Sequence, residues 1–113
     1  MANTFLNAKS DLTTTNLTTV YTVPSATTAV IKSILVSDDS GSGTTIDVTL
    51  VDASSNIFSL FKAKAVGSNT TVELLTQPLV LKESEALKAQ AADANELHII
   101  ASILEVKPRE VVT

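Results

Sequence analysis

Thr44-Thr45-Ile46-Asp47-Val48-Thr49-Leu50-Val51-Asp52 places Ile46, Val48 and Leu50 at alternate positions, with Thr45, Asp47 and Thr49 between them. In an extended chain successive side chains point to opposite faces, so this period of two predicts a strand with one aliphatic face and one polar face. Composition extends the reading to the rest of the chain. Val, Ile and Thr make 35 of the 113 residues, and β-branched side chains pack well on a pleated surface and poorly in a helix.

Upstream, Leu17 to Val23 runs into Pro24-Ser25-Ala26, and Thr27 to Ser37 follows with two apolar clusters, Ala29-Val30-Ile31 and Ile34-Leu35-Val36. Clusters at both parities imply that both faces of this strand are at least partly covered. Asp38-Asp39-Ser40-Gly41-Ser42-Gly43 has the chemistry of a hairpin loop. Downstream, Ala53-Ser54-Ser55-Asn56 marks a turn before Ile57 to Val66, and Gly67-Ser68-Asn69 another before Thr70 to Leu75. Pro78 then precedes a short strand, Leu79 to Lys82. Propensity favours helix from Lys82 to Leu97, but Leu87, Ala89 and Ala91 alternate with Lys88 and Gln90, which predicts a thin strand. Glu96 to Val106 closes the series, with Leu97, Ile99, Ala101 and Ile103 on one face and His98, Ile100, Ser102 and Leu104 on the other.

About eight strands at spacings of roughly ten residues predict a single all-β domain, an antiparallel, jelly-roll-like β-sandwich over residues 12–106. Residues 1–11 and 107–113 fall outside the pattern and are expected to form an N-terminal arm and a C-terminal tail. Phe5 and Leu6 would be stranded in that arm, which makes them the candidate assembly contacts. Thr44 to Asp52 lacks both Lys and Pro, so at a sheet edge it would need a partner to cover it.

The stretch Thr19-Val20-Tyr21-Thr22-Val23-Pro24, a short turn, and Thr28-Ala29-Val30-Ile31-Lys32-Ser33-Ile34 resembles the opening of small β-sandwich virion proteins of tailed bacteriophages. The resemblance continues in Pro78-Leu79-Val80-Leu81-Lys82-Glu83 and in the closing strand Leu97 to Val106, and is strongest to phages of marine bacteria. The familiar Pro-Ala-Gly turn is here Pro24-Ser25-Ala26, and Glu83-Ser84-Glu85 stands where an acidic-Gly turn is common. The resemblance implies a non-enzymatic subunit of a virion, made in the bacterial host cytoplasm. A capsid decoration or cement protein on the head lattice is the first expectation, a neck or tail component the second, and a host-surface recognition module the third. Implied partners are a major capsid protein or neck and tail proteins, together with further copies of the chain.

Residue chemistry points the same way. With no cysteine the chain has no disulfide, thiol nucleophile or zinc-thiolate site. His98 is the single histidine, and nothing marks an activated serine to partner it. Asp38 and Asp39 lack the alternating acids and distant Glu of an EF-hand loop. Glu83 and Glu85 read as an acidic turn, and Gly41-Ser42-Gly43 leads into a strand, so it offers no helix N-terminus to a phosphate. No catalytic residue, cofactor or metal is expected. The formal charge of −4, with Lys62 and Lys64 as the one close basic pair between Lys32 and Lys82, has the wrong sign for nucleic acid. Tyr21, the one tyrosine, reads as a core or rim residue. The longest apolar runs are three residues, far short of the ~20 that span a bilayer as a helix, and the N-terminal residues lack the basic start and apolar stretch of a secretory leader. No membrane partner is expected.

Overall fold

The computed structural model describes residues 2–107. Nine strands make up two antiparallel sheets: β1 (Ala2–Leu12), β2 (Thr18–Thr22), β3 (Thr28–Asp38), β4 (Thr44–Val51), β5 (Ile57–Val66), β6 (Thr71–Glu73), β7 (Leu79–Leu81), β8 (Ala86–Ala91) and β9 (Leu97–Lys107). The five-stranded sheet runs β1-β9-β3, with β6 and β7 sharing the far side of β3, and the four-stranded sheet runs β2-β8-β4-β5. Taking β6 and β7 as two halves of one broken edge strand, these are the two four-stranded layers of a jelly roll. The expected all-β sandwich is therefore the fold, and the thin Ala-rich strand predicted between Lys82 and Leu97 is β8.

The core lies between the sheets. Ile31, Ile34 and Val36 of β3 and Ile99, Ala101 and Ile103 of β9 face Ile46 and Val48 of β4 and Leu87 and Ala89 of β8, all fully buried. Small residues are paired with large ones in both sheets, Ala101 beside Ile34 and Ala89 beside Val48, which lets the layers interdigitate without voids. In β3 the register against β9 shifts between Ile31 and Ser33. This bulge takes up Lys32 and keeps both Ile31 and Ile34 pointing inward although they are three residues apart. The two apolar clusters read in this strand thus share the inner face, while Val30 and Leu35 turn outward.

Three expectations are corrected. The described part of the expected arm, residues 2–11, belongs to the sandwich: β1 pairs with β9 without a break from Ala2–Lys107 to Leu12–Leu97. The cause is visible in its own alternation, since Leu6, Ala8 and Leu12 turn inward between exposed Asn7, Lys9 and Asp11, and the long β9 offers a full ladder of backbone partners. Lys107 ends β9, and the rest of the expected tail lies outside the described residues. Thr44 to Asp52 is not an edge, because β4 is flanked by β8 and β5. The loop after Asp38 is not a hairpin, because β3 and β4 belong to different sheets. Turn residues report that the chain bends and carry no information on which sheet receives it.

Candidate assembly surface

The alternation that sends Ile99, Ala101 and Ile103 into the core sends Ile100, Ser102 and Leu104 to the outer face of the five-stranded sheet. Cross-strand register then assembles an apolar row. Phe5 pairs with Leu104, Leu104 with Val30, and Val30 with Val80, so one row crosses β1, β9, β3 and β7. Phe5 is 74% exposed and Val80 56%, while Leu104 and Val30 are half-buried between them. A parallel row, Lys9–Ile100–Leu35–Glu73, crosses β1, β9, β3 and β6. Between them lies a polar strip, Asn7–Ser102–Ser33. A shallow hollow of about 330 Å³ lies beside Phe5, Lys32 and Ser102, and one of about 360 Å³ beside Lys9, His98 and Ile100. Neighbouring apolar side chains on a solvent face mark an interaction surface more often than isolated ones do.

The two candidate contacts of the sequence are separated by this geometry. Phe5 stands on the outer face, whereas Leu6, its neighbour in the strand, turns inward and packs against the core. Leu104, Val30 and Val80, which complete the row, were not singled out from the sequence. The available signal was apolar residues of both parities within one strand, as in Ala29-Val30-Ile31 and Leu79-Val80-Leu81.

The remaining polar candidates organise loops and strand ends. His98 presents Nε2 to Asp11 Oδ1 at 3.2 Å and Nδ1 to Asp39 Oδ2 at 3.9 Å, so both ring nitrogens face carboxylates. Asp38 Oδ1 accepts from the Ser40 backbone N–H and hydroxyl, each at 2.8 Å. Burial pushes the Asp38 carboxyl up, but these bonds and backbone N–H groups of Gly41 and Gly43 outweigh it and hold the group below its ordinary value. Glu83 Oε1 accepts from Ala26 N–H at 2.6 Å and Glu85 Oε1 from Lys82 N–H at 2.8 Å, fixing two loops at one end of the sandwich. Lys62 pairs with Asp47 at 3.2 Å beside a bulge in β5. Among the described residues no group of three or more His, Asp or Glu side chains is placed to hold a metal ion, and no helix is long and apolar enough to cross a membrane.

No family model matches the sequence, and no curated protein matches it; the likeness to virion proteins of marine phages thus has no support from a family or a sequence relative. Solved structures share the fold. A chain from the acidic stable capsid structure of a Helicobacter pylori bacteriophage superposes with a TM-score of 0.59 at 9% identity, covering 96% of this chain and 90% of that one. A chain from Bacillus endospore appendages, which form disulfide-linked pili, superposes with a TM-score of 0.57 at 9% identity, covering 95% and 88%. At that identity the likeness is one of fold alone.

Proposed function

We propose that this chain is a non-enzymatic structural subunit of a bacteriophage particle, a decoration or cement protein that binds the assembled head lattice. The observation that carries the reading is the Phe5–Leu104–Val30–Val80 row, an apolar stripe across a whole sheet of the jelly roll. The capsid neighbour supports it, since nearly the whole of each chain is matched and that protein stands in a phage capsid. The pilus neighbour is also a chain from an assembly, although cross-linking by disulfides has no counterpart in a chain with no cysteine.

Mechanistically such a subunit acts by mass action. A module that binds the assembled lattice and not the free coat subunits stabilises the lattice by its binding free energy, multiplied over many copies. Phe5 and Val80 are the contacts proposed for the partner. Locating the polypeptide in purified particles by electron microscopy tests the reading. Density on the outer shell in copy numbers of the lattice supports it; a ring of about six or twelve copies assigns a neck or tail role instead. Absence from particles removes both.

A further inference from the structure

We infer that β1 is a self-pairing edge, through which two copies of this chain join antiparallel about a two-fold axis at Asn7 and fuse their five-stranded sheets into one. The inference goes beyond the function proposed above and rests on a separate observation, the long and weakly guarded edge of β1.

An edge strand exposes a row of unpaired N–H and C=O groups, and sheets blunt such edges with lysines, bulges, prolines or brevity. Every other edge in this sandwich combines two of these devices. On one side of the four-stranded sheet, β5 holds Lys62 and Lys64 and is bulged opposite Asp47, with Ala63 at φ 52°. On its other side, β2 has five residues and a register break between Thr19 and Tyr21. In the five-stranded sheet β6 and β7 have three residues each and are interrupted around Pro78. By contrast, β1 is eleven residues long, has no proline, keeps an unbroken register with β9 and carries a single one of these devices, the exposed Lys9. Among the described residues no strand lies beyond it.

The side chains choose the occupant and the register. A two-fold axis at Asn7 pairs residues whose numbers sum to 14, so Phe5 of one copy faces Lys9 of the other, Leu6 faces Ala8, Thr4 faces Ser10 and Asn3 faces Asp11. No like charges meet. Leu6 and Ala8 share the inner face and Phe5 and Lys9 the outer one, where the ammonium and its aliphatic stem can lie on the ring. The apolar row of one copy, Val80–Val30–Leu104–Phe5, then continues into the Lys9–Ile100–Leu35 row of the second copy. An axis at Lys9 would instead set Lys9 against Lys9. An axis at Ser10 would pair Lys9 with Asp11 but overlap little more than Ala8 to Leu12. Because the contact is isologous, it closes at two copies and does not propagate into a fibre.

Sedimentation velocity of the full chain, with Phe5→Lys, Lys9→Glu and the double variant, tests this. Phe5 is exposed on the outer face, so Phe5→Lys leaves folding intact, which thermal melts check. The wild type is expected to dimerise. Phe5→Lys sets lysine against lysine twice and should weaken the dimer by roughly tenfold or more, and Phe5→Lys with Lys9→Glu should restore it through two opposite-charge pairs. A wild-type chain that stays monomeric at NMR concentrations overturns the proposal. So does a Phe5→Lys dimer as tight as wild type, or a double variant no tighter than Phe5→Lys. These readouts use the isolated chain, so a dimer that never enters particles refutes the virion role alone, and a monomeric chain found on particles refutes this edge alone.

Discussion

The Tyr21 hydroxyl, on β2 of the four-stranded sheet, donates a 2.5 Å hydrogen bond to Glu105 Oε2, on β9 of the five-stranded sheet. Both side chains are buried, so a polar pair ties the two layers together across a mostly apolar interior. Removing the hydroxyl leaves a buried carboxylate short of a donor, a loss of about 1.5–3 kcal/mol for a hydrogen bond to a charged group. Tyr21→Phe should therefore lower the urea midpoint, and the same substitution in a Glu105→Gln background should cost less.

The pair also sets an alkaline limit. Burial first, then the hydrogen bond and the charge of Glu105, push the Tyr21 hydroxyl well above its ordinary value near 10. A raised value in the folded state means stability is fully present below about pH 10 and is lost as pH rises beyond it, because the unfolded tyrosine ionises first. Stability measured between neutral pH and pH 11 should fall in the wild type and stay flatter in Tyr21→Phe.

On the acid side the direction reverses. Asp47 is held below its ordinary value, first by the backbone N–H of Ala63, which donates to Oδ1 at 2.7 Å, and further by Lys62, against the opposing effect of burial. In Glu73 burial pushes the carboxyl up, but the Ser33 hydroxyl and the N–H groups of Ile34 and Leu75 hold it down. Groups lowered in the folded state contribute stability above about pH 4 and lose it as pH falls further. Asp47→Asn should flatten the acid limb of a stability–pH curve, and an unchanged limb would show that Asp47 does not secure the β5 bulge.

Val48 is fully buried between β8 and β5. Val48→Asp puts an unpaired charge into the core, and a loss above ~4 kcal/mol is expected, enough to unfold a domain of ordinary stability. Circular dichroism of the variant checks it. A melting temperature near the wild type would remove β4 from the core.

Gly43 has φ +70°, and a Cβ there would stand 3.3 Å from the Ser68 backbone nitrogen; at Gly41, with φ +84°, the nearest atom is the Asn69 side chain at 3.7 Å. Both substitutions to alanine meet the left-handed penalty of about 1–2 kcal/mol, but Gly43→Ala also presses on a backbone atom of the neighbouring loop. Thermal melts should rank it the more damaging of the two.

The strands themselves were legible because hydrophobic alternation is a local property. The periods in Thr44–Val51 and Leu97–Val106 and the thin alternation of Leu87, Ala89 and Ala91 follow from which side chains must leave water. Residues 2–12 carry the same period in Leu6, Ala8 and Leu12, but it is diluted by Asn, Ser and Lys, and only the long ladder offered by β9 makes it a strand. Sheet membership was beyond local reading. Pro24-Ser25-Ala26, Gly41-Ser42-Gly43 and Gly67-Ser68-Asn69 look like hairpin turns yet cross between layers, since a turn's chemistry sets the bend and long-range pairing sets the destination.

The candidate surface divides in the same way. That Phe5, Val30, Val80 and Leu104 are apolar is written in the chain, as is the absence of a nucleophile constellation or a basic face. That they form one row depends on register across four strands whose members are separated by up to 99 positions in sequence, and on the bulge at Lys32 that turns Val30 and Leu35 outward together. Side-chain alternation decides which residues share a face; only the pairing of distant strands decides which of them become neighbours.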